Sequence, residues 1–161
     1  MLKIRPARTT DFPAIWAIFQ PIVAAGDTYA YGPETTAEEA RRIWMSAPAE
    51  PFVAEEEDRI VGTYSLKPNQ PGLGNHVANC AYMTHSAARC RGVAASMCEH
   101  SLITARKRGF TAMQFNFVVA SNQQAVRLWK KYGFAVVGEV PGAFRHRELG
   151  AVPVLIMHRT L

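Results

Sequence analysis

Six consecutive residues, Arg89-Cys90-Arg91-Gly92-Val93-Ala94, combine two fixed cations with a glycine and an alanine. They join an apolar, strand-like stretch that begins at His76 to a helix-like stretch that runs to Arg108. The first N–H groups of a helix have no acceptor inside it, and the helix dipole makes them partly positive. A phosphate placed there is held by backbone donors, provided the backbone can come close. Gly92 has no Cβ and Ala94 only a methyl, so close approach is feasible. Arg89 and Arg91 add charge-assisted contacts. The competing reading is a plain helix start that happens to be basic, although arginines sit unfavourably at the positive end of a helix dipole. The short pattern alone leaves both readings open.

Two amides also stand out. Asn79 lies inside an apolar strand pattern, and Asn116 lies in Gln114-Phe115-Asn116-Phe117. Buried amides need partners. They are either satisfied core residues or neutral contacts for a small polar ligand.

The elements that position these residues follow from periodicity. Residues 2–6 read as a short strand. Thr10-Asp11 opens a helix through Ile22, with Ile15, Ile18, Phe19 and Ile22 at helical spacing, and Pro21 is expected to kink or end it. Thr36 and Glu39 form a capping box for a second helix to about Ser46. "PFVAEE" and "RIVGTYSLK" read as a hairpin around the tight turn Glu57-Asp58. Residues 68–75 are a Pro/Gly/Asn loop, and "HVANCAYMTH" is the next strand. Gly92 to Arg108 is helical and stops at Gly109. "AMQFNFVV" alternates Met113, Phe115 and Phe117 with Gln114 and Asn116, as a strand does. Ser121 and Gln124 read as a second capping box, and Ala125, Leu128, Trp129 and Tyr132 share one helix face. "AVVGEV" and "VPVLIMHR" close the chain as strands around the loop "PGAFRHRELG". The order β-α-α-β-β-β-α-β-α-β-β predicts an α/β fold: a mixed sheet with helices on both faces.

The chain has 161 residues and 48% hydrophobic residues, which fits one domain, 1–161, with a full core. No apolar run is long enough to span a bilayer, and the first residues lack the apolar core of a signal peptide. The expected setting is therefore cytoplasmic, with no membrane partner. Cys80, Cys90 and Cys98 are odd in number and form no CxxC pair, which argues against a disulfide framework and against a metal site. The net charge of +5 is uneven: residues 1–88 hold 7 Lys/Arg against 10 Asp/Glu, and residues 89–161 hold 11 against 3. A basic half suits an anionic partner such as a phosphorylated cofactor. The cations are scattered and no aromatic-spaced RNA-binding motif is present, so nucleic acid is not expected.

Arg89-x-x-Gly92-x-Ala94 resembles the (Arg/Gln)-x-x-Gly-x-(Gly/Ala) signature of the GNAT acetyltransferase superfamily. "SNQQAVRLWKKYGF" resembles that family's second signature, and the order of elements is similar over the whole chain. The resemblance implies acetyl-CoA as cosubstrate and acetyl transfer to an amine. It implies that backbone groups of Tyr82, Met83 and Thr84 hold the pantetheine arm, with one N–H of that strand polarising the thioester carbonyl. Arg89, Cys90, Arg91, Gly92, Val93, Ala94 and Ala95 would cradle the pyrophosphate, and Asn122 would hydrogen-bond the arm. The strands at 76–85 and 111–119 would splay at one end. Trp129 stands where many members carry a tyrosine that protonates the leaving thiolate.

An amine acceptor must shed a proton. His76, Asp27, Glu34 and His146 are the candidate bases, His76 first because it begins the strand leading into the site and histidine is the side-chain type suited to proton transfer near neutral pH. "NQPGLGNHVANCAYM", "FNFVVASNQQAVRLWKKYGF" and "VPGAFR" look like the branch containing proline-analogue (azetidine-2-carboxylate) N-acetyltransferases, where asparagines matching Asn79 and Asn116 line the substrate site. Phosphinothricin-type acetyltransferases are similar in outline. The resemblance thus implies a small amino or imino acid acceptor. A peptide acceptor or a weakly catalytic CoA-binding module are the alternatives. The basic helices and closing strands leave room for a homodimer, and no heptad marks an interface.

Overall fold

The computed structural model describes residues 1–161. Seven strands form one sheet: β1 (Lys3–Pro6), β2 (Glu50–Glu56), β3 (Arg59–Pro68), β4 (Val77–Thr84), β5 (Ala112–Val119), β6 (Ala135–His146) and β7 (Gly150–Thr160). Their spatial order is β1-β2-β3-β4-β5-β7-β6. Only β4 and β5 run parallel; every other neighbouring pair is antiparallel. Four helices, α1 (Phe12–Ala25), α2 (Ala37–Met45), α3 (Val93–Lys107) and α4 (Gln123–Lys131), complete the order read from the sequence.

The helices cover both faces. Ile15, Ile18 and Phe19 of α1 and Trp44 of α2 pack against Val53 and Met83 on one face. Met97, Cys98 and Leu102 of α3 and Trp129 of α4 pack against Tyr64, Cys80 and Phe115 on the other. A Cβ on Gly62 would come within 2.9 Å of Val93 Cγ1, so the glycine in β3 lets the first turn of α3 sit close to the sheet.

Local chemistry explains most boundaries. Glu57 and Asp58 have φ of 49° and 60°, the left-handed pair that a two-residue hairpin turn requires. Thr36 Oγ1 accepts from the Glu39 N–H while Glu39 caps the Thr36 N–H in return.

Four expectations need correction. Pro21 does not end α1, which continues to Ala25; the residue is exposed, and the flanking apolar face keeps the helix packed through the lost hydrogen bond. The cap of α4 is Asn122, whose Oδ1 accepts from the Ala125 N–H at 3.2 Å, and not Ser121. Alternation along β5 breaks at a register shift between Phe115 and Val118, which leaves Phe117 41% exposed. "PGAFRH" is not a loop: β6 continues through it to His146 after a shift between Val140 and Phe144, and the turn is only residues 147–149.

Candidate active site

β4 and β5 pair only at Val77 with Ala112 and Ala78 with Met113. The last bridge between them is a side chain, Asn79 Nδ2 donating to the Gln114 carbonyl at 2.9 Å. Beyond it the strands part, and β5 turns to β7 through its shift at 115–118. Strand geometry sets which backbone groups face the gap. Val77 and His85 bond on the β3 side, so alternation turns the even residues Cys80, Tyr82 and Thr84 towards the gap.

Tyr82 demonstrates this. Its N–H donates to Tyr29 Oη at 3.1 Å, and its carbonyl accepts from the same hydroxyl at 2.7 Å. Burial pushes the Tyr29 phenol far above its ordinary pKa, so it stays protonated. Met83 is the exception among the three strand residues expected to hold an arm: its backbone faces β3 and its side chain is buried among α1 and α2.

The turn after β4 forms a concave loop. Arg89 is extended (φ −61°, ψ 148°), whereas Cys90 and Gly92 have φ of 62° and 81°. Left-handed residues so spaced make successive N–H groups converge into an anion nest. The N–H groups of residues 90–95 reach no protein acceptor, and helical bonding starts with the Ser96 N–H to the Gly92 carbonyl. A Cβ at Gly92 would meet no protein atom within 4 Å. Val93 is buried and anchors the loop, while Ala94 and Ala95 are half-buried. Arg89 is exposed, and its side chain makes no protein contact through hydrogen bonds or ion pairs. Arg91 is drawn away to Glu56 at 2.6 Å. Gln124 of α4 reaches Cys90 Sγ at 3.7 Å, so the start of α4 borders the loop. Asn122 spends its Oδ1 on capping and keeps Nδ2 as a donor with no protein acceptor. These features suit a pyrophosphate: a run of N–H groups without protein acceptors, a helix N-terminus and room above Gly92.

The two asparagines singled out in the sequence meet through residues that sequence reasoning passed over. Gln114 Nε2 donates to Asn116 Oδ1 at 2.9 Å, and Asn116 Nδ2 donates to Asn69 Oδ1 at 2.6 Å. With Asn79 bound to the Gln114 carbonyl, the four amides form one network at the closed end of the gap. Neither asparagine lines the main cleft. That cleft, of about 760 Å³, lies between the α1–α2 loop and β6, with walls from Tyr29, Tyr31, Phe117, Phe144, Arg145 and Arg147. Sequence reasoning gave no role to Tyr29, Arg145 or Arg147, although Tyr29 lies in the loop "GDTYAYGPETT" and Arg145 ends the stretch "VPGAFR". A more open hollow of about 520 Å³, which includes Glu34 and Arg42, contains no residue of β4 or β5.

The candidate bases do not converge on the gap. His76 is exposed at the paired end of β4, where its carbonyl accepts from the Thr111 N–H. His146 borders the cleft, but its Nδ1 accepts from the Glu148 and Leu149 N–H groups at 3.1 and 3.2 Å, so the ring caps the β6–β7 turn. Asp27 is exposed, and Glu34 lies in the other hollow. Trp129 is 8% exposed and packs on Tyr82 at 4.8 Å and Phe115 at 5.0 Å between ring centroids. It is a core residue. Tyr132 is no substitute acid, since burial raises its phenol pKa and its carbonyl is held by Arg159.

A mixed sheet opened at one parallel strand pair, beside a helix that starts in an anion nest, defines an acetyltransferase-type fold. The sequence profile of the acetyltransferase (GNAT) family matches residues 13–134, and the chain belongs to that family. GNAT acetyltransferases use acetyl-CoA as the acyl donor. The solved structure of a GCN5-related N-acetyltransferase from Kribbella flavida is 44% identical, with a TM-score of 0.95 over 99% of this chain and 98% of that one. The N-acetyltransferase aca1 of Schizosaccharomyces pombe is 30% identical over 86 residues, 53% of this chain. The chain spans only 41% of the length of aca1. YwnH of Bacillus subtilis, provisionally named a phosphinothricin acetyltransferase, is 26% identical over 147 residues, 88% of each chain. The expected topology and family therefore hold, and a phosphinothricin-type neighbour is present.

Proposed function

We propose that this chain transfers the acetyl group of acetyl-CoA to the amine of a small amino or imino acid. The observation that carries the reading is the run of N–H groups of residues 90–95 without a protein acceptor, just past a strand whose Thr84 and Tyr82 backbone faces the gap, with Tyr29 linking Tyr82 to the cleft. The nest binds pyrophosphate through its backbone, with Arg89 adding charge. Tyr82 and Thr84 offer strand-like hydrogen bonds to the amides of the pantetheine arm, and Asn122 Nδ2 supplies another donor. The Tyr82 N–H, which in the free protein donates to Tyr29 Oη at 3.1 Å, is the strand group that stabilises charge on the thioester oxygen once the phenol shifts to admit it.

Acetyl-CoA supplies the activated acyl carbon that the amine attacks. The new C–N bond forms as the C–S bond breaks, the nitrogen loses one proton and the CoA sulfur gains one. No carboxylate or unengaged imidazole converges on the gap, so the amine proton leaves to water in the open cleft. The indole N–H of Trp129 is too weak an acid to protonate a thiolate. The sulfur takes its proton from water, which a thiol of pKa about 8.5 permits near neutral pH.

The cleft supports the acceptor class. Arg145 and Arg147 suit a carboxylate, and the rings of Tyr31, Phe117 and Phe144 suit an apolar body such as an imino acid ring. The resemblance to the proline-analogue branch points to the same class. The Asn79–Gln114–Asn116–Asn69 network shapes the closed end of the gap rather than touching an acceptor.

The test is turnover. The protein is incubated with acetyl-CoA and a panel of amino acids, imino acids, simple amines and peptides, and released CoA thiol is measured. Turnover with amino or imino acids, lost when their carboxylate is amidated, is expected. Turnover with peptides alone would replace the acceptor, and tight acetyl-CoA binding without any turnover would make the chain a binding module.

A further inference from the structure

We propose that the Tyr29 hydroxyl is a second hydrogen-bond donor to the thioester oxygen, acting beside the Tyr82 N–H. The inference rests on the acetyl-CoA reading above. Tyr29 comes from the α1–α2 loop, lines the cleft and reaches through to the backbone of β4. Its oxygen lies 3.1 Å from the Tyr82 nitrogen and 2.7 Å from the Tyr82 oxygen. It therefore stands where the acceptor side of the cleft meets the strand that faces the gap.

Three observations favour a donor over a detachable plug. First, the ring is held in a stack: Tyr29 on Tyr31 at 5.8 Å and 8°, Tyr31 on Phe19 at 5.6 Å, and Phe19 against Trp44 at 5.9 Å. The stack is rooted in the buried core of α1 and α2. Admitting an oxygen between the phenol and the Tyr82 N–H, now 3.1 Å apart, requires the Tyr29 ring to slide along Tyr31, a movement that leaves the rest of the stack in place. Second, the loop is tied down at its start, where the Arg147 N–H donates to the Gly26 carbonyl at 3.1 Å. Third, the hydroxyl hydrogen is a rotor. Once the ring has shifted, turning the hydrogen from the Tyr82 carbonyl to the incoming oxygen needs only rotation about the C–O bond, and the freed carbonyl can accept an amide N–H of the arm.

The phenol does not act as the acid that Trp129 lacks. Burial keeps its proton bound far above the pH at which a thiolate is protonated, so transfer to sulfur would run steeply uphill. A group that stays neutral and donates is suited to developing negative charge. The sequence could not reveal this, because Tyr29 and Tyr82 lie 53 residues apart.

The test reads the carbonyl directly. Acetyl-CoA labelled with ¹³C at the thioester carbonyl is bound to the protein, and its stretching frequency is followed by difference infrared spectroscopy with no acceptor present. The wild type should lower the frequency. Tyr29→Phe should lose roughly half of that shift, Tyr31→Phe should keep it, and 3,5-difluorotyrosine at position 29, a stronger donor, should enlarge it. Affinity for CoA, which lacks the thioester carbonyl, should stay within about twofold. Turnover of Tyr29→Phe should fall about 100-fold, as for loss of one such donor. An identical carbonyl shift in wild type and Tyr29→Phe overturns the assignment. So does tighter acetyl-CoA binding by Tyr29→Phe, which would make the hydroxyl an obstruction. Absence of any acetyl-CoA binding by the wild type overturns the functional reading itself, and this assignment with it.

Discussion

Replacing Gly92 with valine separates the cost to the protein from the cost to its ligand. The residue has φ of 81°, where an L-residue costs about 1–2 kcal/mol and a β-branched one sits at the upper end. No protein atom lies within 4 Å of the added Cβ, so backbone strain is the whole cost to the fold. At about 2 kcal/mol, it lowers the melting temperature by roughly 4–8 °C. The ligand loses more. The branched side chain stands over the N–H groups of residues 90–95, and charge-assisted hydrogen bonds contribute about 1.5 kcal/mol or more each. Losing two of them costs about 3 kcal/mol, or roughly 150-fold in Kd. Isothermal titration with CoA measures this, and pantetheine, which lacks the pyrophosphate, is the control whose weaker binding should not change. CoA affinity unchanged in a variant with the expected fall in melting temperature would refute the pyrophosphate assignment.

Other consequences follow from the same structure. Asp11 bridges to Arg5 at 2.7 Å, and that hydrogen bond holds its carboxyl pKa below 3.8. A depressed carboxylate stabilises the fold above its unfolded pKa, so this contribution drains away as pH falls below 3.8; Asp11→Asn should flatten the acid arm of a melting-temperature profile. His100 is the corresponding case for a base: burial pulls its pKa below 6.5 while its Nδ1 meets the Tyr64 hydroxyl at 2.7 Å. Its neutral form is favoured in the fold, so stability should be complete above pH 6.5 and decline below it. His100→Gln should reduce that slope. Trp129→Phe should leave kcat within about threefold while lowering the melting temperature, because the indole packs and moves no proton; loss of turnover with CoA affinity retained would give Trp129 a chemical role. Arg145→Gln should raise the KM of a carboxylate acceptor more than that of its amide, measured side by side.

The parts legible in the sequence are those set by neighbours along the chain. The capping box at Thr36 and Glu39, the left-handed turn at Glu57-Asp58 and the period-2 run of β5 to Phe115 each depend on residues a few positions apart. The loop at Arg89–Ala95 was legible for the same reason, since strand, turn and helix start are contiguous. The misses are non-local. Phe117 is turned out by a shift in the pairing of β5 with β7, and β6 runs to His146 because β7 is there to receive it. Asn116 finds Asn69 47 residues away. Place in the chain favours His76, but the parallel pair is closed at that end, and the cleft reaches β4 through Tyr29 at Tyr82 instead. Ser121 lost the capping role to Asn122, one residue on, and its hydroxyl is buried without a partner.

Amide hydrogen exchange tests the central claim most directly, the claim that residues 90–95 and β4 hold acetyl-CoA. The N–H groups of residues 90–95 have no protein acceptor and should exchange rapidly in the free protein. Saturating CoA should slow them strongly, while pantetheine should leave them unchanged. Unaltered exchange at residues 90–95 in a protein saturated with CoA would contradict the account.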